Sequence, residues 1–310
     1  HIRKRINNMQ KVIVTGGAGF IGSHLVDKLI KQGKEVHIFD DMSMGSKDNI
    51  NPKAHFHKID ISTMGPKTLA KFMIGVDTVF HVASRTRVQP SIKNPSLYHR
   101  VNVTGTLNML IASVKAGVKR FVYSASSSAY GESDTMPLIE SMPTNPMSPY
   151  GLSKLMGEEY CKLFNTQYGL ETVNLRYFNV YGERQNIDGG YCLVMGIFAK
   201  QRLAGEHLTI VGDGEQRRDF TYVGDVVKAN IAAATSNKVG SGEVINIGNG
   251  DNRSVNQIAE MIGGNKLHIP SRVEPKETLA SIKKGKELLN WEPTQKIEDW
   301  MPKYKKELGI

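Results

Sequence analysis

Tyr150 and Lys154 stand four residues apart in Tyr-Gly-Leu-Ser-Lys, at the start of a stretch with helical periodicity. On a helix that spacing puts the phenol and the ammonium on one face. A phenol ionises near a pH of about 10 and is a poor base at neutrality, but a neighbouring positive charge brings it toward the range a general base needs. Alone, Tyr-x-x-x-Lys is a common surface pattern, so its meaning comes from its neighbours. One of them is Ser126, in the run SASSSAYG at 124–131, where a strand gives way to hydroxyl side chains. In a doubly wound sheet the ligand crevice lies at the carboxyl ends of the strands, which places Ser126 to hydrogen-bond a substrate hydroxyl undergoing oxidation. Ser127 and Ser128 read as turn residues.

A second pattern opens the chain. KVIVTGGAGFIG at 11–22 puts β-branched residues before Gly16, Gly17, Gly19 and Gly22, with a helical pattern after them. Gly17, Gly19 and Gly22 satisfy G-x-G-x-x-G; Gly16, Gly19 and Gly22 satisfy the related G-x-x-G-x-x-G. Small residues there let the backbone approach a pyrophosphate at a helix N-terminus. The next strand ends in Asp40, where a carboxylate can accept from both ribose hydroxyls of NAD and would repel a 2′-phosphate. Asp41 points the other way. NAD is therefore the expected cofactor, with Gly16, Gly19, Phe20, Ile21, Gly22, Asp40, Asp60, Ile61, Ala83, Asn102, Tyr150 and Lys154 as its expected contacts. Asp60 follows the third strand and is expected near the adenine. Asn102 opens a predicted helix, and capping that helix would account for it without any ligand.

These groups need a scaffold, and the hydrophobic periodicity supplies one. Strand-like segments fall at 11–15, 35–40, 54–59, 77–81, 120–124 and 172–176, with helical patterns at 20–31, 63–72, 102–116 and 150–168. That alternation predicts an α/β fold, a doubly wound, mostly parallel sheet of the Rossmann kind with a smaller C-terminal α/β substrate lobe. After about residue 181 the pattern loosens. Helices are expected at 193–203, 226–235, 281–289 and 296–308, and strands at 208–211, 220–222 and 244–247. The expected division is 9–180 for the dinucleotide domain and 181–310 for the lobe, with 223–249 packing back on the first. Residues 1–8 read as a tag or disordered extension ahead of Met9.

Composition narrows the remaining classes. The 310 residues carry 40% hydrophobic and 23% charged side chains, ordinary for a globular protein. No apolar run approaches the roughly 18 residues that cross a bilayer. Two cysteines, Cys161 and Cys192, are too few for a disulfide framework, which suggests a reducing, cytoplasmic setting. The net charge of +10 reads either as a solvated basic surface or as a sign of an anionic partner. Because basic residues are interleaved with acidic ones, a phosphate-bearing small molecule is favoured over nucleic acid. No His, Cys and Asp cluster has ligand spacing, and His24, His37 and His81 read as packing or turn residues, so no metal is expected.

The glycine run at 15–22, Tyr150 with Lys154, SASSSAYG, and RYFNVYG at 176–182 together resemble the extended short-chain dehydrogenase/reductases that act on nucleotide sugars. VGDGEQRRDF at 211–220 and LLNWEP at 288–293 extend the resemblance, which is strongest to the NDP-sugar 4-epimerases of the UDP-glucose/UDP-N-acetylglucosamine type. The resemblance implies a tightly held NAD, Ser126 and Tyr150 as the catalytic pair, and Lys154 positioning the nicotinamide ribose. It also implies UDP-sugar contacts from Asn179, Arg218 and Arg272, and a homodimer built through a four-helix interface. For Arg218 the competing role is a surface ion pair with Asp219 or Glu215. A small residue past the C-terminal arginine, here Thr278, implies room for an N-acetyl group. Arg272-Val-Glu-Pro is one residue shorter than the family's pattern, and His81-Val-Ala-Ser replaces the more frequent His-Leu-Ala-Ala.

The chemistry so implied is transient oxidation of a UDP-hexose or UDP-N-acetylhexosamine. Tyr150 takes the 4-hydroxyl proton, hydride passes to NAD, and the 4-keto sugar turns and receives hydride on its other face. Remote binding of the uridine diphosphate retains the intermediate. Related dehydratases and decarboxylases carry an acid just before Tyr-Gly where this chain has Ser127 and Ser128, which disfavours elimination. UDP-glucuronate epimerisation is an alternative, as is dehydration or decarboxylation within the same superfamily. A non-catalytic NAD-sensing or RNA-associated protein is the alternative outside enzymes.

Overall fold

The computed structural model describes residues 9–185, 193–271 and 274–310. The opening segment 1–8, Cys192 and Arg272 lie outside the described residues. The central sheet is built from β1 (Lys11–Thr15), β2 (Glu35–Asp40), β3 (His55–Lys58), β4 (Thr78–His81), β5 (Arg120–Ser126), β6 (Glu171–Tyr177) and β7 (Ser241–Ile247). Their spatial order is β3-β2-β1-β4-β5-β6-β7, with every neighbouring pair parallel. This is the doubly wound α/β arrangement expected from the alternation. The order reverses beside β1, and the crevice opens there.

Burial on both faces explains the apolar runs. In β1 the residues Val12, Ile13 and Val14 are fully buried, because helices cover the sheet above and below. One apolar cluster joins Val12, Val14, Leu25, Leu29, Val226 and Ile245. The other joins Ile13, Phe39, Leu69, Val79, Leu110 and Phe121. Helices α1 (Phe20–Lys31), α2 (Pro66–Phe72), α3 (Gly105–Ala116), α4 (Pro149–Tyr168) and α5 (Val223–Thr235) supply the outer layers. A third cluster, including Tyr181, Phe198, Ile258 and Trp300, gathers residues from the second half of the chain.

Several boundaries differ from the periodicity for local reasons. Strands β5 and β6 run on to Ser126 and Tyr177. Helix α2 begins only at Pro66, because Asp60 turns the chain by accepting from the Ser62 amide at 2.8 Å and its hydroxyl at 2.6 Å. The helix expected from Asn102 is preceded by helical turns at Val88–Lys93, Pro95–Tyr98 and His99–Thr104, the last with the wider π winding. Helix Val255–Ile262 and the small strand pairs Leu208–Val211 with Lys266–Ile269 and Arg217–Asp219 with Asn252–Ser254 were not expected in full.

Helix α4 carries the Tyr-x-x-x-Lys spacing and is the best-defined element of the site. Ser148 caps it by accepting from the Gly151 amide at 3.1 Å, Pro149 occupies the first turn, and Gly169 closes it in the left-handed conformation. Its underside is locked by Glu158, whose two oxygens accept from Arg176 Nε at 2.9 Å and Nη2 at 2.8 Å. Both partners are buried, and the Arg176 guanidinium also lies over the Tyr130 ring.

Candidate active site

A cleft of about 1180 Å³ runs along the carboxyl ends of the strands. Its floor begins at the glycine turn. Gly16 takes φ +69°, and a Cβ there would come within 2.9 Å of the Ala83 backbone. A Cβ on Gly22 would reach 2.1 Å from the Gly16 carbonyl oxygen, so no larger residue fits without moving the turn. Helix α1 starts at Gly19 with neither a side-chain cap nor an acid in its first turn. Its first N–H groups and the positive end of its dipole therefore face the cleft, as a pyrophosphate requires. Asp40 lies at the end of β2, where Oδ2 accepts from the Ala18 amide at 3.0 Å and Oδ1 from the Met42 amide at 2.9 Å. Burial raises its carboxyl above the ordinary range while those two amides pull it down. Asp41, expected to point the other way, also borders the cleft, where its Oδ1 accepts from the Ser43 amide at 2.8 Å. Small-residue cradle, open helix end and fixed acid all fit a dinucleotide, and Phe20, Ile21, Asp60, Ile61 and Ala83 also line this part.

Ser126 and Tyr150 line the same cleft from opposite elements, the end of β5 and the first turn of α4. Burial pushes the Tyr150 phenol above 10, against two opposing influences: the Ser126 hydroxyl that hydrogen-bonds it and the positive charge of Arg87. Ser126 also shares a hydrogen bond of 2.6 Å with the Ser128 hydroxyl and accepts from the Ser128 amide at 3.2 Å. Ser127 and Ser128 form the tight turn expected of them and line the cleft as well. Lys154 is not on the cleft wall. It is buried one turn further along α4, with Nζ 4.6 Å from the centre of the Tyr123 ring, and desolvation lowers its ammonium to about 7. Arg87, also on the cleft wall, adds a positive charge that favours the phenolate, and the spacing argument passed it over.

Arg87 sits in the loop after β4, at φ 87° and ψ 140°. A non-glycine residue in that region costs of order 1–3 kcal/mol. The loop is held just ahead of the strained residue. Asn102 Oδ1 accepts from the Arg85 amide at 2.7 Å and its Nδ2 donates to the Arg85 carbonyl at 2.9 Å, while the Tyr98 hydroxyl donates to the Thr86 carbonyl. Asn102 also donates to the Ser153 hydroxyl on α4 at 2.9 Å. The expectation that Asn102 opens and caps a helix is therefore corrected: it lies inside a continuous winding, buried, and clamps the loop to the helix bearing Tyr150. Arg-Thr-Arg at the carboxyl end of a strand was the overlooked signal.

The other end of the cleft collects Asn179, Arg218 and Thr278. Asn179 takes φ 27° and donates to the Asp219 carbonyl at 2.9 Å. Arg218 Nη2 pairs with Glu274 at 3.0 Å, not with the expected alternatives. Glu215 is instead engaged by Asn256 at 2.6 Å. Asp219 is buried and accepts from the amides of Asn249 at 2.6 Å, Gly250 at 3.0 Å and Ala280 at 3.0 Å. Burial still lifts its carboxyl to about 7. Thr278 is buried, and its amide donates to the Arg217 carbonyl at 3.0 Å. Away from the cleft, the pairing of β2 with β3 brings Glu35, His37 and His55 together, which corrects the expectation of no ligand cluster; their separation in sequence hid it.

Residues 12–248 match the NAD dependent epimerase/dehydratase family. The chain belongs to that family. Among relatives of this epimerase/dehydratase, a putative UDP-glucose 4-epimerase of Methanocaldococcus jannaschii is 42% identical over 305 residues, covering 94% of this chain and 98% of that one. The UDP-glucose 4-epimerase of Thermotoga maritima, solved with UDP-glucose, superposes with a TM-score of 0.90 at 37% identity, over 96% of this chain and 100% of that one. The UDP-N-acetylglucosamine 4-epimerase of Methanobrevibacter ruminantium, solved with UDP-N-acetylmuramic acid, gives a TM-score of 0.88 at 37% identity, over 94% and 96% of the two chains. NAD is accordingly the cofactor. Among the described residues no helix is long and apolar enough to cross a membrane.

Proposed function

We propose that this epimerase/dehydratase is a 4-epimerase of a UDP-hexose or UDP-N-acetylhexosamine, acting by transient oxidation to a 4-keto sugar and return of hydride to the opposite face. The observation that carries this reading is the facing of Ser126 and Tyr150 within the cleft that also holds the glycine cradle and Asp40. NAD, when bound there, supplies hydride acceptance and donation. Gly16, Gly19, Gly22 and Asp40 would hold it, and Lys154, behind the cleft wall, would help position its nicotinamide ribose. Tyr150 Oη takes the proton of the sugar 4-hydroxyl and later returns it. Ser126 donates a hydrogen bond to the same sugar oxygen as a carbonyl develops. Arg218 clamps the diphosphate through charge-assisted bonds, sharing or leaving its contact with Glu274. Asn179 and Thr278 complete the nucleotide-sugar end, together with Arg272, which lies outside the described residues.

Ser127 and Ser128, both on the cleft wall, put no carboxylate where elimination would need one. A UDP-glucuronate 4-epimerase is the second reading, favoured by Arg87, whose cation beside Tyr150 suits a carboxylate on the neighbouring sugar carbon. The division at about residue 180 belongs to the same proposal. The parallel pairing of β7 with β6 supports the return of 223–249 to the nucleotide-binding half. Exposed Leu152, Leu163 and Tyr168 on α4 support a homodimer formed through paired helices; a cytoplasmic setting belongs to the same proposal. The deciding experiment is incubation with UDP-glucose, UDP-N-acetylglucosamine and UDP-glucuronate, with products resolved by NMR. The 4-epimer of at least one is expected. A 4-keto-6-deoxy sugar or a pentose as the accumulating product would overturn the reading.

A further inference from the structure

Alternate residues on a strand point to one face, so Glu35 and His37 on β2 project together, as do His55 and His57 on β3. The parallel register sets His37 opposite His55. Four side chains with metal-ligating atoms therefore share one face at the edge of the sheet, away from the cleft, with Glu35 and His55 exposed and His37 half-buried. The ligand atoms of Glu35, His37 and His55 all lie within 4.8 Å of one another. The imidazoles of His37 and His55 stack at 4.7 Å, and those of His37 and His57 at 5.1 Å.

We propose that Glu35, His37 and His55 form a binding site for a divalent transition-metal ion of the zinc class, bridging β2 to the edge strand β3. The hydrogen bonds around His37 are what single it out. Its Nε2 lies 2.9 Å from a Glu35 oxygen and its Nδ1 lies 2.9 Å from His57 Nε2. A carboxylate carries no proton, so something positive must lie between Glu35 and Nε2: a proton on the ring or a metal ion near both atoms. When the ion takes that place, the His37 proton resides on Nδ1 and is donated to His57 Nε2, whose own proton sits on its Nδ1. The count of protons on the two neutral rings is unchanged. An outer acceptor that fixes the tautomer of a ligating histidine is a recurrent support of metal sites. Two imidazoles, one carboxylate and a remaining position for water form a set that zinc accepts. Lys11 Nζ, 3.4 Å from the Glu35 carboxylate, competes for it and keeps the affinity moderate.

The test is calorimetric titration of chelator-treated protein with Zn²⁺, paired with thermal unfolding in the presence and absence of the ion. One saturable equivalent is expected, together with a higher melting temperature. His55→Gln and His37→Gln are each expected to weaken binding by about tenfold or more and to abolish the thermal shift. Epimerase turnover without zinc should be unchanged in both. His55 is exposed, so His55→Gln decides the matter even if His37→Gln fails to fold. Absence of a saturable equivalent in the parent protein, or equal binding by His55→Gln, overturns the proposal.

Discussion

Asn102 grips both polar groups of the Arg85 peptide, accepting from its amide at 2.7 Å and donating to its carbonyl at 2.9 Å. Asn102 Nδ2 also donates to the Ser153 hydroxyl on α4. A loop on one side of the cleft and the helix bearing Tyr150 on the other are thereby tied through one side chain. Asn102→Ala removes these bonds from a buried position. It is expected to cost about 1–3 kcal/mol and to lower turnover more than nucleotide affinity, since it loosens the mounting of Arg87 without touching the cradle. Thermal unfolding alongside kcat and NAD binding checks it; an unchanged kcat would mean the clamp serves stability alone.

The Tyr150 phenol is raised by burial and lowered by Ser126 and Arg87. Tyr150→Phe is expected to reduce kcat by about 10²–10⁴-fold, the usual contribution of a general base, while NAD stays bound. Arg87→Gln withdraws a charge that favours the phenolate, so the rising limb of the kcat/KM profile should move to higher pH. A limb that stays in place would separate Arg87 from the base.

Asp40 faces the cleft with both oxygens fixed by backbone amides. Asp40→Ala is expected to weaken NAD and to narrow its advantage over NADP, because the repulsion of a 2′-phosphate disappears. Titration of the two dinucleotides against parent and variant measures the ratio, and an unaltered ratio would place the ribose elsewhere.

His81 is buried between two threonines, with Nδ1 at 2.9 Å from Thr15 and Nε2 at 2.9 Å from Thr106. Thr106 spends its proton on the Asn102 carbonyl and so accepts from Nε2–H. Thr15 accepts from the amides of Val82 and Ala83 and so donates to Nδ1. No acceptor is left for a second ring proton, and burial lowers the imidazole from 6.5 to about 3. Between those values the unfolded chain binds the extra proton and the folded one does not. This contribution to stability is full above pH 6.5 and is lost as pH falls toward 3. Chemical denaturation across that range should show a slope that His81→Gln diminishes.

The sheet and its glycine turn were legible because local rules and tertiary burial agree there. The apolar run of β1, the uncapped start of α1 and the acid ending β2 each follow from a few adjacent residues. Helix α4 was equally plain from Ser148, Pro149 and the 150–154 spacing. Asn102 was misread because a helix-cap residue type sits inside a winding that begins earlier, through Pro95 and a π turn. The Arg218 partner was missed because Glu274 is distant in sequence, while Asp219 and Glu215 were near at hand. The Glu35–His37–His55 group depends on strand register, which no single segment encodes. The box of Ser254 and Gln257 did announce helix Val255–Ile262, and could have been read.

Glu158 and Arg176 meet in the dry layer beneath α4, each holding the other's charge through two bonds. Losing Glu158 would strand the Arg176 guanidinium in the interior, at a cost of about 3–5 kcal/mol, while losing Arg176 would leave Glu158 only its contact with Lys162 at 3.2 Å. A drifting lineage could not cross that step one substitution at a time without a compensating gain elsewhere. The seat of the catalytic helix is in this sense inherited as a couple: the two positions are free to change together, and each alone is held in place by its mate.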